Sequence, residues 1–236
     1  MKKALYLFAH PDDEIMVLPL LLRSGFENYL IYLTEGHDPK SVRSIELKDA
    51  VSTMVSSGIS VTVKTTGIEI IDCKSYESLS YDLIELLSSI GKLNGVDELI
   101  SFSYEGGHPD HDTCAILAHL VANRISIPLI QFSGYRSTGV YKFFRTMRPS
   151  EPSDKVSFQR IRACKIMIKL IFSYPSQFKS WLGLGPGIFF SYMFRPWRVC
   201  DSNKILSLGD VKYCLYERRS QAVLSEVESQ FARIVK

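Results

Sequence analysis

Two short polar clusters carry the residues of this sequence that could do chemistry. The first is AHPDDE at residues 9–14, and the second, much later in the chain, is GHPDHD at residues 107–112. Each brings imidazoles and carboxylates together within a few residues, directly after an apolar segment. A neutral imidazole and a carboxylate are ligands that zinc and similar divalent ions take in proteins. The two clusters together therefore predict a metal site.

The spacing within the first cluster suits hydrolysis of an amide. His10 and Asp13 are three residues apart and would form a three-ligand site with His111. Three protein ligands leave one coordination position for a water molecule, whose pKa the metal lowers. Asp12 is then free beside the metal to take the proton of that water as a general base.

The second cluster supplies the remaining groups. His108 is left to stabilise the oxyanion and to protonate the departing amine, and Asp110 is available to orient its ring. Taken alone, the first cluster could be a loop with a helix N-cap, and the second could be exposed polar residues. Because both follow predicted strands, their combination favours a metal-dependent hydrolase.

The elements that must position these clusters predict an α/β fold. Apolar runs at residues 3–9 and 98–103 are typical of buried strands that end at the two clusters. Further strands are predicted at 29–33, 61–71 (bent, or two short strands) and 128–132, and helices at 41–57, 79–90 and 113–124. Pro19 predicts that any helix over 15–22 starts late or is kinked. Strands alternating with helices imply a mainly parallel sheet with helices on both faces, and sites of such sheets collect at the strands' carboxyl ends.

The later part of the chain has a different character. It predicts a basic amphipathic helix over 155–172, a strand over 211–216 and a terminal helix over 222–235. The glycines and prolines near residue 185 predict a loop. Residues 1–135 carry 10 Lys/Arg and 18 Asp/Glu, whereas residues 136–219 carry 16 and 5. The basic half could attract an anionic substrate or an anionic membrane surface, or could be a solvated face.

Length and composition limit the class of protein. The chain has 236 residues, 46% of them apolar and 22% charged, which predicts one globular domain. We expect a metal-site core over 1–132 and a substrate-side part over 133–236. Five cysteines without a CxxC pair argue against disulfides and fit a reducing, cytoplasmic location. The apolar start is too short for a secretory signal, and the uncharged stretch 180–194 is too short to span a bilayer.

Aromatic residues are concentrated in residues 178–197. This segment could be a hydrophobic cap over the sheet. It could instead be a lid or an interfacial surface for a lipid-linked or glycan substrate, with peripheral membrane contact. Nucleic-acid binding is disfavoured, because the arginines are scattered and the sequence has no recognition motif. The half of the chain that holds the two clusters is also acidic and would repel phosphates.

The paired clusters resemble the motifs of the LmbE-like family, also called the PIG-L family. The resemblance runs through most of residues 3–132. Members of that family are zinc-dependent de-N-acetylases that act mostly on compounds containing N-acetylglucosamine. The resemblance implies a Rossmann-like α/β fold and removal of an N-acetyl group from an amino sugar or glycoconjugate. It implies Zn²⁺ as the cofactor, although Fe²⁺ would fit the same nitrogen and oxygen ligands.

The resemblance also implies a role for each matched residue. His10, Asp13 and His111 correspond to the metal ligands, and Asp12 corresponds to the general base. His108 corresponds to the group that stabilises the tetrahedral intermediate from the side opposite the metal.

Weaker similarities point to residues that contact substrate. Arg43 and Glu46 match an Arg-x-x-Glu pattern at the start of a helix, where arginines of the family can contact substrate. His37 follows a Thr-Glu-Gly turn at residues 34–36 and could reach substrate. Residues 173–177 resemble a Ser-Gln element common in the C-terminal part of the family. We expect Glu14 to support the ligands or the backbone that follows them.

Two alternatives to the de-N-acetylase hypothesis remain. An amidase of a related sugar conjugate would use the same residues. A non-catalytic sugar-binding or membrane-associated protein could use the same fold with a vestigial site. Against the second alternative, every core ligand and the base are present in the sequence.

Overall fold

The computed structural model describes residues 1–34, 42–68, 70, 75–104, 108–134, 154–201 and 229. Its strands are Lys2–Phe8 (β1), Phe26–Tyr32 (β2), Val61–Lys64 (β3), Glu98–Phe102 (β4), Leu129–Phe132 (β5), Asp154–Val156 (β6) and Trp197–Asp201 (β7). Its α-helices are Leu18–Leu21 (α1), Val42–Ser56 (α2), Tyr81–Asn94 (α3), Pro109–Ile125 (α4), Arg160–Ser173 (α5) and Phe178–Phe194 (α6). Short 3₁₀ helices cover Asp13–Val17, Ser75–Ser78 and Pro175–Gln177.

The seven strands form one sheet in the order β3-β2-β1-β4-β5-β7-β6. Strands β1 to β5 are parallel, whereas β7 pairs antiparallel with both β5 and β6. The chain builds outward from β1 to β3 and then crosses back to β4, so the strand order reverses between β1 and β4. In open α/β sheets this reversal opens a crevice at the carboxyl ends of the two strands, where ligands bind. The predicted mainly parallel α/β fold is confirmed.

Helices flank the sheet in two groups, and their packing follows from the strand order. Right-handed crossovers place the helices on either side of the reversal on opposite faces. Helix α3 packs against α4, while α2 packs against α5 and α5 against α6. Strand β1 is therefore covered on both faces, and residues 4–8 are all buried. Burial on both faces explains why this strand is a continuous apolar run rather than an alternating one.

The segment near residue 185 is helical, and the predicted loop is wrong. Helix α6 runs through it with Pro186 inside. Gly185 allows the close packing of α5 on α6, because a Cβ there would lie 3.3 Å from Cδ1 of Ile171. Burial of Trp181 and Ile188 offsets the hydrogen bond that Pro186 cannot donate.

Several predicted boundaries also differ from the structure. Strand β3 ends at Lys64, because the hydroxyl groups of Thr65 and Thr66 accept hydrogen bonds from the amides of Gly67 and Ile68 and turn the chain. Helix α5 starts at residue 160 rather than 155, since residues 154–156 pair with β7. Strands β6 and β7 themselves were not predicted.

The late helix start at Pro19 is confirmed, because α1 begins only at Leu18. The strand predicted over 211–216 and the helix predicted over 222–235 lie outside the described residues, apart from residue 229. Among the helices that the structure describes, none combines the length and apolarity needed to cross a bilayer.

Candidate metal centre and active site

The two sequence clusters meet at the crevice between β1 and β4. The ring of His10 lies with its centroid 5.0 Å from that of His108 and 5.6 Å from that of His111. His111 lies in the first turn of α4, which begins at Pro109 rather than at the predicted residue 113. The first amides of a helix have no hydrogen-bond partner within it. Proline has no amide hydrogen, so it suits this first position and favours a helix start here. The early start brings His111 to the site from a rigid helix.

His10, Asp13 and His111 are close enough to share one metal ion. All three are buried, and each offers a ligand atom within 4.8 Å of the other two. The Asp13 carboxylate is held in place, because its Oδ2 accepts the backbone amides of Ala9 (3.0 Å) and His10 (2.8 Å). Burial alone would raise the pKa of Asp13, but His111 and His10 outweigh it and lower that pKa. An ionised carboxylate between two imidazoles is a suitable donor set for a divalent ion.

Asp110 contacts a different histidine from the one predicted. Its Oδ2 lies 3.0 Å from His10 Nε2 and 3.9 Å from His108 Nδ1. Its other oxygen, Oδ1, accepts hydrogen bonds from the Ser75 hydroxyl (2.6 Å) and amide (3.2 Å). Asp110 therefore orients His10 and leaves its Nδ1 facing Asp13, 3.8 Å from Oδ2. A carboxylate behind a metal-ligating histidine is a common arrangement that fixes the ring and its tautomer.

A second group of side chains also has ligand spacing. It consists of His10, His108 and Asp110, whose donor atoms again lie within 4.8 Å of one another. The short contact between Asp110 and His10 Nε2 favours the set with Asp13 and His111, because it occupies the ring nitrogen that faces this second group.

His108 is fixed as a neutral hydrogen-bond donor. It caps α4, and its Nδ1 accepts the backbone amide of Asp110 at 3.3 Å. Burial, together with the neighbouring His111 and His10, lowers the pKa of His108 to about 3. Since Nδ1 is an acceptor in a neutral ring, the proton must lie on Nε2. The ring can then donate from Nε2 to a developing oxyanion.

Asp12 is held in an unusual backbone conformation beside the ligands. Its φ is +114°, a value that residues other than glycine rarely adopt. Arg43 Nη1 bonds the Pro11 carbonyl at 2.8 Å and lies 3.3 Å from Asp12 Oδ1, while the Asp12 amide donates to Glu14 Oε2 at 3.1 Å. Burial and the adjacent Asp13 raise the pKa of Asp12 well above its usual range. A carboxylate with a raised pKa accepts a proton more readily, as a general base must.

Glu14 sits beneath this site and joins distant parts of the chain. Its Oε1 accepts the Tyr174 hydroxyl at 2.6 Å, and its Oε2 accepts the Tyr32 hydroxyl at 3.1 Å. Burial raises the pKa of Glu14 to about 7 despite these hydrogen bonds. The expected supporting role of Glu14 agrees with this geometry. The sequence does not indicate Tyr32 and Tyr174 as partners of Glu14, or Ser75 as the partner of Asp110, although Tyr174 lies within the Ser-Gln element at residues 173–177.

Of the three residues expected to contact substrate, only Arg43 lies at the site in the part of the chain that the structure describes. Arg43 lies against Asp12, at the site. Glu46 is buried, and its carboxylate accepts hydrogen bonds from the Ser176 amide (2.7 Å) and hydroxyl (2.6 Å). The Arg-x-x-Glu pattern and the Ser-Gln element are thus in direct contact, and a substrate contact for Glu46 stays a prediction. His37 lies outside the described residues.

An aromatic wall supports the ligand His111. The ring of Phe102, at the end of β4, stacks on that of His111 with centroids 3.9 Å apart and an angle of 8°. Gly134, just after β5, lies behind this pair: a Cβ there would be 3.2 Å from Phe102 Cε1 and 3.8 Å from His111 Nδ1. The imidazole is therefore confined on one face by packing.

Solved structures of several deacetylases share the fold of this chain. No model of a known protein family matches the chain, and no curated protein matches its sequence. A triple mutant of a deacetylase of the teicoplanin biosynthetic pathway is 14% identical, with a TM-score of 0.61 over 85% of this chain and 99% of that one. The deacetylase of the A40926 pseudoaglycone is 15% identical, with a TM-score of 0.61 over 84% of this chain and 97% of that one. The N,N'-diacetylchitobiose deacetylase of Pyrococcus horikoshii is 15% identical, with a TM-score of 0.52 over 85% of this chain and 84% of that one. The chain therefore has a fold that deacetylases of the teicoplanin pathway, of the A40926 pseudoaglycone and of N,N'-diacetylchitobiose also have.

Proposed function

We propose that this protein is a metal-dependent de-N-acetylase that removes acetate from an N-acetylated amino sugar or glycoconjugate. One observation carries the proposal: His10, Asp13 and His111 form a buried set of ligand spacing, with Asp12 adjacent in the chain and the His108 ring 4.8 Å from that of His111. A metal set, a base and an oxyanion donor are what amide hydrolysis requires. Deacetylases with the same fold and the resemblance to the LmbE-like family support this reaction over others.

The metal would be held by His10, Asp13 and His111. When bound, such an ion polarises a carbonyl and lowers the pKa of a water molecule. We propose Zn²⁺, and Fe²⁺ suits the same ligands. One solved form of the teicoplanin deacetylase is described as zinc inhibited, so both metals belong in any assay.

The protein groups would divide the proton transfers between them. Asp12 takes the proton of the attacking water as the new carbon–oxygen bond forms. His108 donates a hydrogen bond from Nε2 to the oxyanion. This changes the expected role of His108 as the acid: because a neutral imidazole does not readily give up its proton, the proton held by Asp12 passes to the nitrogen as the carbon–nitrogen bond breaks. The products are acetate and a free amine.

The basic C-terminal half favours an anionic substrate. Nucleotide sugars, sugar phosphates and lipid-linked glycans carry the phosphate groups that such a surface attracts. Arg43, beside Asp12, is placed to contact a substrate at the site. A single domain over residues 1–236 and a cytoplasmic location also belong to this proposal.

The test is release of acetate from a panel of N-acetylglucosamine compounds. The panel contains the free sugar and its nucleotide-linked, lipid-linked and thiol-linked forms, each assayed with Zn²⁺, with Fe²⁺ and with a chelator. Chelator-sensitive release from one member is the expected result. Bound metal at one ion per chain without any release would favour the amidase alternative. Absence of both metal and turnover would favour a vestigial site.

A further inference from the structure

An apolar groove lies on the surface between α5 and α6. It encloses about 470 Å³ and is lined almost entirely by hydrocarbon. Three of its side chains, Phe172, Leu182 and Ile168, are 69%, 64% and 45% exposed. Exposed apolar patches of this kind are uncommon unless something covers them.

The charges of this region have one sign. Residues 155–200 contain eight Lys/Arg and no Asp/Glu. Arg160 and Arg162 bond backbone carbonyls within the protein. Lys165, Lys169 and Lys179 are exposed on the same two helices as the groove.

The lysines and the apolar side chains share one outward face. In α5, Lys165, Ile168, Lys169 and Phe172 follow the spacing of neighbours on a helix surface. In α6, Phe178, Leu182 and Phe189 continue the apolar stripe across the groove. Lysines can rest their hydrocarbon stems on such a stripe while their ammonium groups reach outward.

We infer that this face, the α5–α6 hairpin, binds an anionic membrane surface. Apolar and aromatic side chains enter the boundary between headgroups and acyl chains, and lysines attract anionic headgroups. A second copy of the chain is a poor occupant, because the exposed lysines of two such faces, Lys165, Lys169 and Lys179 on each, would repel each other. Residues 202–236 carry six Lys/Arg and four Asp/Glu, and residues 135–153 carry four and one, so neither segment offers the opposite charge.

The hairpin turn links this face to the candidate site. Tyr174, at the turn, bonds Glu14, and Ser176 bonds Glu46. The inference does not rest on the proposed function, because vesicle binding is measured without turnover.

The test is co-sedimentation of the full chain with lipid vesicles at low and high salt. One set of vesicles is phosphatidylcholine alone, and the other contains equal parts of phosphatidylcholine and phosphatidylglycerol. We expect binding to the anionic set that salt weakens. The double variants F172S/L182S and K165E/K169E should each lower the partition coefficient by about tenfold or more. The matched controls L93S and K92E alter exposed residues of α3 and should bind like the unaltered chain.

Other outcomes would overturn the inference. These are no binding to anionic vesicles at low salt, equal binding to both vesicle sets, or equal losses in the hairpin and control variants. A dimer in light scattering that L182S dissociates would assign the face to a second copy instead. Circular dichroism checks each fold, and the single variant F172S replaces a double variant that fails to fold.

Discussion

The Tyr174 hydroxyl donates a 2.6 Å hydrogen bond to Glu14 Oε1 across 160 residues of sequence, and both residues are fully buried. Glu14 Oε2 in turn accepts the amide of Asp12, whose backbone has the strained φ. The end of α5 is thus tied to the proposed general base through one carboxylate. The candidate site is built from both halves of the chain, not from the metal-ligand half alone.

Replacing Tyr174 with Phe should reduce stability and activity together. At pH 8, where Glu14 is ionised, the variant leaves its oxygen without the hydroxyl donor, which costs about 1.5–3 kcal/mol of unfolding free energy for a bond to a charged group. The Asp12 backbone should also be held less firmly, so kcat should fall more than KM changes. Urea unfolding and acetate release measure the two effects. Y81F, at a residue that is 57% exposed, is the control and should stay within about 0.5 kcal/mol. Equal stability of both variants would contradict the role of the bond.

The raised pKa of Glu14 predicts a pH-dependent stability in the metal-free protein. The pKa of this carboxyl rises from 4.5 to about 7 on folding, mainly through burial. Between these values the folded chain binds more protons than the unfolded chain, so stability falls as pH increases. The shift corresponds to about 3 kcal/mol between pH 4.5 and pH 7. Unfolding in urea with a chelator at pH 5 and pH 8 should show a flatter pH dependence for E14Q. The same change in unfolding free energy with pH in both proteins would show that Glu14 does not cause the pH dependence.

Local patterns predict the order of strands and helices in the first half and the two polar clusters that meet at its site. A continuous apolar run predicts β1, and its polar ending places His10, Asp12 and Asp13 at the carboxyl end of the strand. The proline at position 109 determines where α4 starts, but propensity alone indicated the helix only from residue 113. Proline favours the first position of a helix, so Pro109 itself is the local signal for the earlier boundary.

Contacts between distant residues were not predictable in the same way. Nothing local indicates that Asp110 bonds His10 rather than the nearer His108, because the choice depends on how β1 and α4 approach each other. Ser75 and Tyr174 are ordinary polar residues in the sequence, and only the packing brings them to buried carboxylates. The sequence does not indicate helix α6, because its glycines and proline are typical of a loop, whereas Gly185 serves the close packing on α5.

Replacing Asp110 with Asn should weaken metal binding. The carboxylate bonds His10 Nε2 at 3.0 Å and fixes the ring that faces Asp13. Loss of such a supporting carboxylate typically lowers metal affinity by about 10–100-fold. Competition with a chelating dye measures the affinity, and D49N, on the exposed side of α2, is the control. Unchanged affinity in D110N would show that Asp110 does not support the ligand.

Replacing Asp12 with Asn should remove turnover while metal still binds. Asn keeps the shape of the side chain and tolerates positive φ better than most residues, but it cannot accept the proton of the water. We expect kcat to fall by about 10²–10⁴-fold with an unchanged metal content. Acetate release and elemental analysis of the purified variant test both parts. Retention of most of the activity would exclude Asp12 as the general base.

Replacing Gly134 with Ala should disturb the candidate metal ligand His111 through the Phe102 ring that stacks on it. The added Cβ would lie 3.2 Å from Phe102, whose ring stacks on His111, so the stacked pair must shift by a few tenths of an ångström. Overpacking of this kind costs about 1–3 kcal/mol, and the displaced imidazole should bind metal several-fold more weakly. G183A is the matched control, because its Cβ meets no atom within 4 Å and lies in α6. Alanine favours a helix over glycine by about 0.5–1 kcal/mol, so the control should be as stable as the parent or more stable. Should G134A and G183A bind metal with equal affinity, the aromatic wall does not position His111.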